Sequence, residues 1–202
     1  MTELLLATRN RGKLDELRRI LTAAELRDVR VLGLADVAEF PEAPETGTTF
    51  EANALAKARD AARASGVPAV ADDSGLSVDA LNGMPGVLSA RWAGSHGDDA
   101  ANLELLLAQL ADTPDERRTA EFVCAAALVT PAGAERVVRG EWSGSLVREP
   151  RGGNGFGYDP IFVPQGEART AAELAPSQKD EHSHRARALR ALVPHLREVL
   201  GL

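Results

Sequence analysis

The 202-residue sequence contains one cysteine, Cys124, so no disulfide can close within the chain. Cys124 lies in an apolar run, where a thiol behaves as a small buried hydrophobe. No stretch approaches the ~20 apolar residues of a membrane-spanning helix. The opening residues, Met1-Thr2-Glu3-Leu4-Leu5-Leu6, lack a basic region and hold too short an apolar core for a signal peptide. These absences read as a soluble, cytoplasmic protein. The formal net charge is -7 and there is no basic tail, which argues against nonspecific binding to nucleic acid or an anionic membrane. No serine elbow, cysteine–histidine pair or zinc spacing occurs, so covalent and zinc chemistry have little support. The G-x-x-x-x-G-K-[ST] spacing of P-loop NTPases is missing as well.

A hydrophobic content of 44% over this length supports one good-sized core. The reading is therefore one domain over residues 1–202. Leu4 to Ala7 reads as a buried strand, and Leu14, Leu17 and Leu21 fall on one face of a following helix. Val29 to Leu34 suits a second strand, and Phe40 to Gly47, rich in Pro and Glu, a loop. Thr48-Thr49-Phe50-Glu51 has the form of a capping box before an alanine-rich helix that Ser65-Gly66 ends. A helix capped by Asp98 or Asp99 runs to about Leu110. Thr119 to Thr130 and Arg136 to Trp142 read as a hairpin, and Ile161-Phe162-Val163 as a further strand. A helical tail starts at Ser177, with Pro194 expected to kink or break it. Helices and strands alternate early and a hairpin lies late, the pattern of an α/β fold with a mixed sheet.

The most informative stretch is Val67-Pro68-Ala69-Val70-Ala71-Asp72-Asp73-Ser74-Gly75, read as a buried strand tipped by two carboxylates. Buried charge is costly unless it is paired or bound to metal, and no basic residue stands beside these acids in sequence. A divalent cation site is one reading; an Asp-Ser-Gly turn is the other. Glu45 is a third candidate acid. Thr8-Arg9-Asn10-Arg11-Gly12-Lys13 lies between a strand and a helix start, where backbone N–H groups and the dipole favour an anion. A capped helix with solvated basic residues is the alternative. In Gly152-Gly153-Asn154-Gly155-Phe156-Gly157-Tyr158-Asp159, glycine disfavours any regular element. Phe156 and Tyr158 can offer flat faces to a base, and Asp159 an acceptor; a flexible loop anchored by two aromatics is the alternative. Lys179, His184 and Arg185 can donate to a carbonyl-bearing base or to phosphate, or simply be solvated at a helix start.

Taken in order, these segments resemble one family. They are Ala7 to Lys13, Glu45 to Ala54, Ala71 to Leu76, Gly86 to Arg91, Arg148 to Pro150, Gly155 to Phe162 and Ser183 to Arg185. They are similar to the noncanonical purine nucleoside triphosphate pyrophosphatases, the dITP/XTP or inosine triphosphate pyrophosphatases. The resemblance implies an elongated mixed α/β fold with two lobes around a central nucleotide cleft, assembled as a homodimer. It implies Mg²⁺-dependent cleavage of purine nucleoside triphosphates (ITP, dITP, XTP) to the monophosphate and pyrophosphate. Thr8, Arg9, Asn10, Arg11, Gly12 and Lys13 would then hold the triphosphate. Asp73 would be proton acceptor and metal ligand, with Ser74 on the substrate. Phe156, Gly157, Tyr158, Asp159, Lys179, His184 and Arg185 would surround base and sugar. This sequence departs from the family at two points: Arg9 stands where a small residue is common, and Pro44 where some members carry a metal-binding acid. The second metal ligand is left between Glu45 and Asp72. A Maf-like nucleotide pyrophosphatase and a nucleotide-binding module without turnover are the competing readings.

Overall fold

The computed structural model describes residues 2–41 and 44–202, so the loop expected from Phe40 to Gly47 falls partly outside the described residues. The main elements are β1 (Thr2–Leu6), α1 (Arg11–Ala23), β2 (Val29–Leu32), α2 (Phe50–Ser65), β3 (Ala69–Val78) and α3 (Asp99–Gln109). They continue with β4 (Thr119–Val129), β5 (Glu135–Leu146), β6 (Phe162–Pro164), α4 (Pro176–His182) and α5 (His184–Leu200). The strands form one mixed sheet in the order β2-β1-β3-β4-β5-β6. β1 pairs parallel with β2 and with β3, whereas β5 and β6 are antiparallel. The parallel pairs are joined through helices, as parallel connections require. β4 is buried along nearly its whole length, which its near-continuous apolar sequence already suggested.

The chain divides into two compact units. The first comprises Met1–Asp73, Cys124–Gly140 and Arg185–Leu202. Its core joins Leu4, Leu6, Leu17, Leu21, Val70, Leu128, Leu189, Leu192 and Leu196, with Cys124 buried among them. The second comprises Ser74–Val123 and Glu141–His184, with Leu76, Leu106, Phe122, Trp142, Tyr158, Ile161 and Phe162 at its centre. Among the described residues no helix is long and apolar enough to cross a membrane.

Local chemistry explains most boundaries. The Asn10 carboxamide oxygen caps α1, accepting from the Gly12 and Lys13 N–H groups. Thr49, rather than Thr48, caps α2 by accepting from Ala52 N–H, and left-handed Gly66 ends that helix. Asp98 caps α3. Four expectations are corrected. β2 stops at Leu32, because Gly33 opens a 3-10 turn whose Asp36 carboxylate takes the Gly33 N–H at 2.8 Å. β5 extends four residues beyond Trp142, to Leu146. The tail breaks at Ser183, between α4 and α5, and not at Pro194, which lies inside α5. Pro194 is exposed, so its lost backbone bond is left to solvent while Leu192 and Leu196 pack into the core on either side. The largest correction concerns β3. It does not end at the acids but continues to Val78.

Candidate active site

Asp72 and Asp73 lie in mid-strand, and consecutive side chains of a strand point to opposite faces. The turn reading is thereby excluded, and each acid meets a different environment. Both carboxylates are buried. The cations absent beside them in sequence arrive from three helices.

On one face, Lys13 of α1 donates to both oxygens of Asp72, at 3.1 and 2.8 Å. Arg185, the second residue of α5, places its Nε 3.3 Å from Asp72 Oδ2. Burial alone would raise the pKa of this carboxylate, but Lys13 and Arg185 overcome it and hold the group well below the usual range. The same pairing raises Arg185 against the cost of its own burial. Asp72 is thus a fixed anion between two cations.

On the other face, Asn53 and Lys57 of α2 reach Asp73. Asn53 Nδ2 donates to Oδ2 at 3.0 Å, and Lys57 Nζ to Oδ1 at 3.0 Å. Lys57 also donates to Glu45 Oε1 at 2.8 Å, so two carboxylates converge on one ammonium. Burial pushes the Asp73 pKa up, and nearby Glu45 adds to the rise; Lys57 and Asn53 pull the other way. Burial disfavours the Lys57 charge, yet Asp73 and Glu45 outweigh it and raise that pKa. Asn53 and Lys57 stand four residues apart on one face of a helix. The signal that could have found them is two polar residues at that spacing within an alanine-rich face whose other members are buried.

The basic loop is more committed than its sequence suggested. Asn10 spends its side-chain oxygen on the α1 cap, and Thr8 Oγ1 accepts the Asn10 N–H at 3.2 Å. A Cβ on Gly12 would lie 3.2 Å from Asn10 Oδ1, so the cap itself favours glycine there. Arg9 and Arg11 are exposed, while the Lys13 ammonium is turned to Asp72.

In the second unit, the glycine-aromatic loop and α4 bring Phe156, Asp159 and Lys179 together. Lys179 is ion-paired with Asp159 and lies 5.1 Å above the Phe156 ring centroid. Asp159 Oδ2 accepts the Phe156 N–H at 2.9 Å, and Asp99 Oδ2 the Gly157 N–H at 2.8 Å. Phe156 is 60% exposed and presents the flat face expected of it. Tyr158 does not. It is 4% exposed, and its hydroxyl donates to the Ser89 carbonyl, so its ring belongs to the core. His184 is buried and stacked on Phe122, with centroids 4.9 Å apart and planes at 13°. Arg185, expected beside the base, is ion-paired with Asp72. Ser74 is partly buried directly after Asp73 on β3.

Among the described residues no group of three or more His, Cys, Asp or Glu is placed to hold a metal ion. Glu45 and Asp73 are a pair of hard oxygen donors meeting at one cation. A sequence model of the Ham1 family matches residues 4–195. The chain belongs to the Ham1 family. A protein of Nocardia farcinica named dITP/XTP pyrophosphatase is 66% identical to this Ham1-family chain over 196 residues, covering 97% of this chain and 95% of its own. A second, from Streptomyces coelicolor and with the same name, is 59% identical over the full length of both. A crystal structure of the nucleoside-triphosphatase / dITP/XTP pyrophosphatase of Mycobacterium abscessus, 62% identical, aligns with a TM-score of 0.82 over 97% of this chain and 100% of that one. The structure of a HAM1 protein from Coxiella burnetii, 43% identical, gives 0.88 over 98% and 100%. The mixed α/β sheet of this chain is therefore the Ham1 fold.

Proposed function

We propose that this chain hydrolyses noncanonical purine nucleoside triphosphates (dITP, XTP and ITP) at the α–β phosphoanhydride, releasing the monophosphate and pyrophosphate. The observation that carries the reading is the divided acid pair of β3. Asp72 is locked between Lys13 and Arg185, while Asp73, with raised proton affinity, faces Glu45 and Lys57. The names of close relatives support the substrate class.

Asp73 accepts the proton of the attacking water as its oxygen bonds to phosphorus. The bridging P–O bond breaks and pyrophosphate leaves. A general base of this kind is worth ~10²–10⁴ in rate. Thr8 to Lys13 bind the phosphates; Lys13, held by Asp72, points its charge in a fixed direction. Ser74, next after Asp73, contacts the substrate.

Mg²⁺ suits the donor chemistry, since that ion commonly takes only one or two carboxylates plus substrate phosphates. Glu45 and Asp73 would hold it. Asp72 is a poor ligand, because two cations, Lys13 and Arg185, already neutralise it, whereas Asp73 shares one ammonium with Glu45. When bound, the ion supplies charge neutralisation to the phosphates and lowers the pKa of a bound water.

The base lies on Phe156, and Lys179 and His184 provide donors for a 6-oxo group. Adenine presents an amino group there and leaves such donors unpaired, a mismatch that can reach ~10⁴-fold in discrimination. Gly157, Tyr158 and Asp159 keep this loop in shape. Residues 1–202 serve the reaction as one functional domain, in a cytoplasmic homodimer.

The test incubates the purified chain with dITP, XTP, ITP, ATP, GTP and dTTP and separates the products. Pyrophosphate from the first three, abolished by EDTA and restored by Mg²⁺, is expected. Inorganic phosphate as the product, or a preference for dTTP, would refute the reading.

A further inference from the structure

Asn53 makes two hydrogen bonds of opposite sense. Its side chain, in a residue only 2% exposed, accepts the Gly47 N–H at 2.8 Å through Oδ1 and donates to Asp73 Oδ2 at 3.0 Å through Nδ2. The partners fix the amide's orientation: a backbone N–H can only donate, and a carboxylate can only accept. An aspartate in this place would offer two acceptors and a leucine neither group. Gly47 shows the same fit from the other side. A Cβ there would lie 2.5 Å from Asn53 Oδ1 and 3.0 Å from the Ala52 Cβ, so the loop backbone rests directly on the amide.

That loop carries Glu45, two residues before Gly47. Glu45 and Asp73 both contact Lys57, one helical turn beyond Asn53. The two α2 residues therefore join loop to strand in different ways. Lys57 links the acids by charge. Asn53 links the backbone beneath Glu45 to one oxygen of the Asp73 carboxylate, while Lys57 holds the other.

We propose that Asn53 is a positioning residue for the hydrolysis, coupling the Glu45 loop to Asp73 so that the two acids keep a common target. The inference rests on the reading of Asp73 as proton acceptor. A merely structural asparagine would lose stability on substitution and leave the balance between binding and turnover alone.

The experiment compares Asn53→Asp, Asn53→Ala, Gly47→Ala and the Asn53→Asp/Gly47→Ala double variant. The readouts are kcat and KM for dITP, thermal midpoints, and Mn²⁺ binding to the nucleotide-free protein by electron paramagnetic resonance. Asn53→Asp is expected to lower kcat by ~10²-fold, the scale of a small misplacement of a reacting group, with KM within about twofold. Gly47→Ala should act in the same direction. The double variant should be no worse than the worse single one, because both break one contact. In Asn53→Ala, which removes the contact without adding a charge, Mn²⁺ affinity should fall by on the order of tenfold, as for other partners of metal-binding carboxylates. A kcat within twofold of the parent, multiplicative effects in the double variant, or unchanged Mn²⁺ affinity in Asn53→Ala would overturn the proposal. The Mn²⁺ readout does not depend on substrate, so failure of the parent protein to cleave dITP would be seen separately.

Discussion

The two faces of β3 hold the same side chain at consecutive positions and treat it in opposite ways. Asp72 has two cations of its own, and their charge outweighs burial and holds its carboxyl well below the usual range. Asp73 has an amide and a single ammonium shared with Glu45, and its affinity for a proton rises. Pairs of carboxylates whose surroundings push them apart in this way commonly divide the labour of catalysis. One acid here is a fixed counter-ion. The other is held by an amide and one shared ammonium, with its pKa raised by burial.

The sharpest way to break the comparison is to remove one carboxylate at a time. Asp73→Asn should lower kcat for dITP by ~10³-fold while calorimetry still detects dITP binding; near-normal turnover would show that the proton goes elsewhere. Asp72→Asn leaves the partly buried Lys13 and Arg185 without their carboxylate. It is expected to cost ~3 kcal/mol in urea unfolding and to affect kcat less than Asp73→Asn does.

A smaller effect is expected at the third lysine–aspartate pair, in the second unit. Lys179→Met keeps the apolar stem over Phe156 but removes the charge. It should raise KM for dITP on the order of tenfold with kcat within about twofold, the pattern of lost binding common to ground and transition states. A drop in kcat with unchanged KM would move Lys179 into the chemical step.

The smallest effect separates the acids by sign. Asp72, depressed when folded, adds stability above its unfolded pKa near 4 and loses it as the pH falls toward the folded value. Asp73, raised when folded, adds stability below that same unfolded value and loses it as the pH climbs through the folded one. In metal-free buffer, the urea midpoint of Asp72→Asn should therefore fall less than the parent's between pH 6 and pH 3. That of Asp73→Asn should fall more. Equal slopes would mean the two sites do not differ.

Much of the fold could be read from the chain because its signals are local. Leu14, Leu17 and Leu21 mark the buried side of α1, Gly66 ends α2, and Asp98 caps α3. Errors arose where a distant partner overrides local preference. Two buried acids argued for a strand end, but Lys13, Lys57 and Arg185 supply the charge that lets β3 run on; Arg185 stands 113 residues from Asp72. Pro194 argued for a break, but packing of Leu192 and Leu196 carries α5 across it. Tyr158 had the composition of a stacking residue, and only its contact with the Ser89 carbonyl reveals a core one. Asn53 and Lys57 lay unremarked among alanines because nothing local tells which helix face meets an aspartate sixteen or twenty residues later.

Since side chains alternate along a strand, what distinguishes Asp72 from Asp73 is parity alone. The register of β3 against β1, with Leu5 opposite Ala69 and Leu6 opposite Val70, decides which aspartate turns toward Lys13 and which toward Lys57. A slip of one residue would send every side chain to the other face and exchange the surroundings of the two acids. The dry pairing of Leu5 and Leu6 with β3 thus carries information that the charged residues lack: it fixes which of two identical acids faces Lys13 and which faces Lys57.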